Sequence, residues 1–298
     1  MTPLIGIVTV LFNGDQVLPG FFESVAKQTD VCYRLYVIDN SNSDSGTQLA
    51  KKLAKQYGIE GKFVFNNANY GVAKGNNQGI ELALHDECSH ILLANNDVEF
   101  EGGTLSELLQ ALIEKNESVA TPKILYFGTE ALIWYAGGSI NRWTLTTPHF
   151  NLRKKDVSTN KSPYYTNYAP TCFMLLKSEV FSQVGMMDEK YFVYYDDTDF
   201  VWRLNKQNYR IRLLDHVIVQ HKVSFSTGGD KSQFSVFYTN RNRIYFARKN
   251  LTGFNRIFTL GFILITRLIP LITLPKSLKR GVLAGCSQGL TMNIDTLK

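Results

Sequence analysis

The stretch Tyr194-Tyr195-Asp196-Asp197-Thr198-Asp199-Phe200-Val201-Trp202-Arg203 sets three carboxylates within four residues, directly behind an apolar run at 191–195. Crowded carboxylates are costly unless a cation, a helix start or a substrate offsets them. A helix start accounts for two of the three, with Asp196 as a cap and Asp199 paired with Arg203 one turn on. Asp197, about 100° further round the wheel, is left without a structural task. A carboxylate held at a helix start beside other carboxylates is a candidate general base.

The elements that must position it are legible from apolar runs and turns. Leu4–Leu11 reads as a strand ending at Asn13, Gly14 and Asp15, and Val17–Lys27 has helical spacing. Tyr33–Ile38, Lys62–Phe65 and His90–Ala94 read as further strands, with helices at Thr47–Tyr57 and from the Asn69–Gly79 block through Leu84. Short strands, apolar throughout and alternating with helices, predict an α/β fold whose mostly parallel sheet is covered on both faces. Ligands then bind beyond the carboxyl ends of the strands. Four polar clusters fall on that rim: 13–15, 39–44, 66–77 and 95–99. Turn chemistry favours the same residues, so the weight lies in having four in succession. A GxGxxG turn after the first strand and a GxxxxGK[ST] loop are both absent, which argues against hydride transfer and P-loop kinase chemistry.

The 298 residues carry 32 Lys/Arg and 26 Asp/Glu, a net charge of +6, with 44% hydrophobic and 12% aromatic residues. That length and composition suit a full hydrophobic core. The charge is uneven. From Arg241 to Lys298, ten Lys/Arg stand against Asp295 alone, so the rest of the chain is mildly acidic. Cys32, Cys88, Cys172 and Cys286 lie far apart with no metal-ligand spacing, and are expected to be reduced and buried, as in a cytosolic protein. The opening apolar run lacks a basic leader and a small-residue cleavage site, so a strand is expected there rather than a signal segment.

Several segments together resemble the inverting GT-A glycosyltransferases of family two, and most closely their rhamnosyltransferase-like branch of bacterial polysaccharide biosynthesis. Ile91–Val98 resembles the strand-plus-DxD segment. Asp39-Asn40 with Asp44 matches, as does Asn69-x-Gly71-x-Ala73-x-Gly75-Asn76-Asn77-x-Gly79. The run from Gly185 through Asp188-Glu189, Phe192, Tyr194, Asp196-Asp197 and Asp199 to Arg203 resembles the acidic catalytic block. His221 with Ser226, and Arg241-Asn242-Arg243 with Lys249, also fit the branch. The likeness covers roughly residues 4–250. Departures are Asn95 at the first DxD position, Asp196 where a glutamate is usual, Val72 where an aromatic is usual, and Lys74 in place of a small residue.

The resemblance implies transfer of a sugar from a nucleotide-diphosphate donor, such as dTDP-rhamnose or a UDP-sugar, to a lipid-linked or polysaccharide acceptor. It implies donor contacts from Thr9, Asn13, Asp39, Asn69, Gly71, Lys74, Asn77 and Asn96. Asp97 is the expected ligand of Mg²⁺ or Mn²⁺, joined by Asn95 and His221. Asp197 becomes the expected base, with Asp196, Asp199 and Arg203 in support. Residues 1–100 are expected to hold the nucleotide sugar and 101–250 the acceptor and catalytic groups. A flap is expected at 224–229. Trp143, His149, Phe150, Tyr164, Tyr165 and Tyr168 are candidates for stacking on sugars, or for ordinary core use. A QxxRW motif is absent, which argues against a processive synthase, and so is the basic glycine-rich loop of a nucleotidyltransferase. The alternative is a sugar-nucleotide-binding scaffold without activity, and Asn95 is the residue that keeps it open.

Residues 251–298 form a basic, apolar helical tail. Ile257–Leu274 is an apolar stretch interrupted by Arg267 and Pro270, and a central arginine disfavours a spanning helix. Arg256 and Arg267 fall about 20° apart on a helical wheel, with Asn255, Thr259 and Thr266 nearby. A helix lying in the cytoplasmic membrane interface is the expected arrangement, with core packing or a homodimer contact as the alternative. The long aliphatic run suits an anionic membrane surface better than nucleic acid, and peripheral attachment on the inner face of the plasma membrane follows.

Overall fold

Strands that are apolar on both faces must lie inside a sheet, with helices above and below. The computed structural model describes residues 2–157, 164–223 and 232–294, and its first part follows that rule. β1 (Leu4–Leu11), α1 (Leu18–Ala26), β2 (Cys32–Asp39), α2 (Ser45–Tyr57), β3 (Gly61–Phe65), α3 (Gly71–His85) and β4 (His90–Ala94) alternate along the chain. β1 pairs parallel with β2 and β4, and β2 with β3, in the spatial order β3-β2-β1-β4. Every residue of β4 is buried.

The second part extends the same sheet with antiparallel members. β5 (Val98–Phe100), α4 (Thr104–Lys115), β6 (Val119–Tyr126), β7 (Ile133–Tyr135), β8 (Tyr165–Thr166) and β9 (Phe173–Lys177) follow in order. α5 (Glu179–Val184), a 3-10 turn at Glu189–Tyr191, α6 (Asp196–Lys206) and β10 (Ile211–His221) come next. β9 inserts antiparallel between β4 and β6, and β6 runs parallel to β10. β5 pairs antiparallel with the end of β10, setting Val98 opposite His221. The Lys222 amide donates to the Asp97 carbonyl at 3.0 Å, so this register fixes the distance between Asp97 and His221. One apolar core runs under the whole sheet.

Four helices complete the described chain: α7 (Gln233–Asn250), α8 (Gly253–Thr266), α9 (Leu268–Thr273) and α10 (Lys276–Thr291). α10 lies along α7 in the same direction. A Cβ at Gly285 would come within 2.5 Å of the Phe237 carbonyl oxygen, and one at Gly289 equally close to that of Arg241. Only glycine permits this approach of two backbones.

Two expectations need correction. The apolar stretch does not turn the whole of its polar stripe outward, as a helix lying in a membrane interface would. It is interrupted at Arg267, close to Pro270, which has no N–H to continue the ladder. Thr259 and Ile263 are fully buried, and Arg267 donates to the Asn240 side chain at 3.1 Å. Thr259 and Arg267 therefore face the protein, whereas Asn255 and Arg256 of the same stripe are exposed, as are most of the apolar side chains. Over Gly253–Thr273 this stretch is long and apolar enough to cross a membrane by length and composition, and most of it is exposed. The second correction concerns Cys32, which is exposed at the start of β2. Cys88 and Cys172 are buried, and all four thiols are free. The expected flap, with Ser226, lies outside the described residues.

Candidate functional site

A cavity of about 1300 Å³ opens beyond the carboxyl ends of β1 and β4, where the parallel sheet should bind ligands. Val10 and Phe12 line it from β1 and the loop that follows, and Asn95, Asn96 and Asp97 from the loop after β4. Asp196, Asp197 and Thr198 enter from the start of α6, and His221 from the end of β10.

Asp97 Oδ1 and His221 Nε2 are 3.1 Å apart, both almost completely buried. The approach is close but lacks hydrogen-bond geometry, and Asp97 Oδ1, His221 Nδ1 and Asn96 Nδ2 have no hydrogen-bond partner. Buried polar atoms left open in this way are expensive unless something fills the space between them. Among the described residues, no group of three or more His, Cys, Asp or Glu converges on one point. The donor set is thus one carboxylate and one imidazole. It fits a hard divalent ion that takes its other ligands from phosphate oxygens and water.

Asp197 faces the same cavity and is held on both oxygens. Oδ2 accepts from Tyr168 at 2.5 Å, and Oδ1 from the Thr198 amide at 2.6 Å and the Thr198 hydroxyl at 3.1 Å. Burial, and then the charge of Asp197, hold the Tyr168 phenol well above its usual range, so it stays a donor. His149 stacks on Tyr168 at 5.8 Å, and its Nδ1 lies 2.8 Å from the Trp134 carbonyl oxygen, which assigns the proton to that nitrogen. Burial lowers the His149 pKa, so the ring is neutral. Trp134 sets its edge against both His149 and His221, joining the two halves of the site.

Asp196 does not cap α6. The N-cap is Tyr195, in the left-handed region at φ 66°, and no side chain caps the helix; Asp196 is already inside the first turn. Burial, followed by the charge of Asp197, pushes its carboxyl up to about 8. Asp199 behaves oppositely. Burial alone would raise it, but Arg203 and Lys249 outweigh that and hold it below the usual carboxylate range. Arg203 Nε donates to it at 2.9 Å, and Lys249 bridges Asp199 and Asp188 at 2.9 and 2.7 Å.

The segment before α6 is strained, with Phe192, Tyr194 and Tyr195 all at positive φ. α7 holds it there. Asn242 Nδ2 donates to the carbonyls of Tyr191, Val193 and Tyr194 at 2.7–2.9 Å, and Arg241 to those of Lys190 and Tyr191 at 2.7 Å. This explains why the helix carries Arg241 and Asn242 in buried positions.

The expected donor contacts divide. Asn96 lines the cavity, next to Asn95, an expected metal ligand, whereas Thr9, Asn13, Asp39, Asn69, Gly71, Lys74 and Asn77 do not. Asp39 is fully buried and accepts from the Ser41 amide and the Thr47 hydroxyl, knitting the loop after β2. The Asn13 amide donates to Ser41 Oγ at 2.9 Å, and Thr9 is buried beneath with its hydroxyl unpartnered. Asn77 brackets Met187, donating to its carbonyl and accepting from its amide, while Asn69 accepts from the Gly71 amide. Gly71, at φ 83°, lets Phe192 pack directly on the start of α3. The Asn69–Gly79 block therefore braces the segment ahead of α6, and its Val72 and Asn76 face the cavity. Lys74 sits 4.7 Å over the Tyr70 ring. Sequence reasoning missed Tyr168 and Trp134 as neighbours of the acidic groups. Tyr168 stood out only as one of several aromatics, and nothing local ties it to Asp197.

Comparison with known proteins agrees with this geometry. Residues 6–185 match the family model "Glycosyl transferase family 2". The chain is 23% identical over 250 residues to the low-salt glycan biosynthesis hexosyltransferase Agl10 of Haloferax volcanii, covering 80% of this chain and 74% of that protein. It is 22% identical over 282 residues to an N-acetylglucosaminyl-diphospho-decaprenol L-rhamnosyltransferase of Mycobacterium tuberculosis, covering 84% and 86%. Among solved structures, the mannosyltransferase PcManGT of Pyrobaculum calidifontis, in complex with GDP-Man and Mn2+, superposes with a TM-score of 0.58 at 10% identity, covering 97% and 87%. S. aureus TarS superposes at 0.55 and 14% identity over 92% of this chain, which spans 44% of that protein's chain. These structural likenesses concern the fold.

Proposed function

The chain belongs to glycosyl transferase family 2, and from that membership we propose that it is a non-processive, inverting transferase that moves a sugar from a nucleotide-diphosphate donor to a lipid-linked glycan at a membrane surface. One observation carries the reading: Asp197, oriented by Tyr168, shares a cavity with the open Asp97–His221 pair. Asp197 takes the proton of the attacking acceptor hydroxyl on its free Oδ2 lone pair, while Tyr168 and Thr198 keep the carboxylate from turning away. Attack from the face opposite the departing diphosphate inverts the anomeric centre. Asp97 and His221, with Asn95, would hold a Mg²⁺ or Mn²⁺ ion, which would supply counter-charge to the leaving group. The Pyrobaculum relative's Mn2+ supports that assignment, and the mycobacterial relative's name supports a rhamnosyl donor and a lipid-linked acceptor.

In this reading residues 1–250 carry the chemistry and 251–298 hold it at the inner face of the membrane, with α10 also bracing α7. The test is incubation with a panel of nucleotide sugars, including dTDP-rhamnose and UDP-sugars, with and without Mn²⁺. Metal-dependent release of one nucleoside diphosphate is expected. Tight donor binding without release or transfer under any metal would sink the enzyme reading and return the chain to a scaffold role.

A further inference from the structure

The tail is not the only surface that shows apolar side chains beside cations. Trp143 is 54% exposed and does not line the cavity. It stands on a tight turn in which Asn141 Oδ1 accepts from the amides of Trp143 and Thr144 at 2.9 Å, and the Leu145 amide donates back to the Asn141 carbonyl at 2.7 Å. Its ring meets Phe258 of α8 edge-on, centroids 5.2 Å apart, and Phe258 stacks on Phe254 at 6.0 Å. Phe254, Ile257, Phe258 and Ile265 lie at least about 120° round the wheel from Ile263, whose side is taken by α7. Phe254, Ile257 and Ile265 are each more than two-thirds exposed.

The helices that carry this surface bring cations without acids. Arg142 and Arg256, next in the chain to Trp143 and Ile257, are exposed, and the described chain from Ser232 to Ile294 contains no Asp or Glu. Apolar side chains with a tryptophan among them and cations round them suit the boundary between headgroups and acyl chains of an anionic bilayer. A second copy of the chain would bring the same cations against themselves. Crossing the bilayer is also disfavoured, since it would strip Thr259, Ile263 and Arg267 from α7.

The turn that carries Trp143 continues directly into the active-site cavity. Leu145 is buried and its carbonyl accepts from Tyr195, the N-cap of α6, at 2.8 Å. Thr146, Thr147 and Pro148 line the cavity. We infer that Trp143 and α8 form one surface that docks on an anionic phospholipid bilayer, and that docking there sets the 146–148 wall of the cavity at the membrane. The inference rests on the transferase reading for its purpose, delivery of a lipid-held acceptor, but its physical claim is separate.

The test uses the full chain with vesicles of phosphatidylcholine alone or mixed with phosphatidylglycerol. Flotation is expected with the anionic vesicles, weaker with the neutral ones, and reduced in 1 M salt. Tryptophan emission should move to the blue on binding, and Trp143→Phe should lose most of that shift while still floating. Trp143→Ala with Phe258→Ala should lower vesicle affinity by about tenfold or more, with melting temperature and lipid-free nucleotide-sugar turnover unchanged. Full-length protein that stays at the bottom of the gradient with anionic vesicles overturns the inference. So does binding that leaves Trp143 emission unmoved, or a dimer abolished by the double variant with no vesicle binding. Absence of nucleotide-sugar turnover in every preparation would sink the transferase reading and leave the flotation result standing.

Discussion

Tyr168 donates its phenolic proton to Asp197 Oδ2 across 2.5 Å, joining the loop before β9 to the first turn of α6. Thr198 occupies the other carboxylate oxygen, so Asp197 has one fixed orientation and one oxygen with capacity left. A base that is already aimed needs no reorganisation when the acceptor arrives.

Asp197→Asn is expected to lower kcat by about two orders of magnitude or more, the usual worth of a positioned base. Donor affinity should hold, because the amide keeps the shape. Tyr168→Phe should cost about tenfold in kcat, matching one hydrogen bond of about 1–1.5 kcal/mol. Release of nucleoside diphosphate during transfer measures both. Near-normal turnover in Asp197→Asn would move the base elsewhere, with Asp196 next in line.

Removing either member of the Asp97–His221 pair should remove the effect of metal on donor binding. In the wild type, EDTA should weaken donor affinity; in Asp97→Ala it should change nothing further. Titration calorimetry with and without Mn²⁺ reads both. Equal wild-type affinity in EDTA would refute the metal reading and turn the search for a counter-charge to the cations that line the cavity, Arg153 and Lys222.

Asp196 makes stability depend on pH. Its folded carboxyl is pushed up to about 8, from an ordinary value near 4 in the unfolded chain. The protonated form is favoured by folding, so this contribution is complete below about pH 4 and is lost progressively as pH rises to about 8. Asp196→Asn, a neutral mimic of the protonated form, should therefore gain in Tm over the wild type across that window and hold the gain above it. A Tm difference that stays flat from pH 4 to 8 would contradict the assignment.

Asn242→Ala should destabilise the chain and slow turnover together. The half-buried carbonyls of Val193 and Tyr194 lose their donor, while that of Tyr191 keeps Arg241, and an unsatisfied buried group costs about 1–3 kcal/mol. The strained Phe192–Tyr195 segment would then relax, and Asp197 with it. A fall of several degrees in Tm and a fall in kcat larger than any change in KM are expected. An unchanged kcat would show that α7 does not set the base.

The first part of the fold was legible because its information is local. His90–Ala94 appears as a strand with the bounds its apolar run gives, and the alternation before it closes into a parallel sheet. β9 gave no such signal. Five apolar residues do not say that they will insert antiparallel between β4 and β6, a pairing decided by distant partners. The acidic block stood out because three carboxylates within four residues need a reason, and the structure sets Asp196 and Asp197 on the cavity. Its supports were not, since Tyr168, Asn242 and Asn77 reach it from far along the chain. The bracing role of the Asn69–Gly79 block was hidden for a related reason: amide-rich segments suit a phosphate and a backbone carbonyl alike, and Asn77 bonds the backbone of Met187.

The close parallel seating of α10 on α7 also bears on how the protein is made. Gly285 and Gly289 meet Phe237 and Arg241, and the same α7 turns clamp the segment ahead of Asp197. On the ribosome, the sheet and the Asp97–His221 pair can assemble once His221 has emerged, while α7 still lacks its neighbour. The 191–194 segment gains its clamp only after α7 has followed, so the start of α6 is among the last parts of the described fold to be fixed.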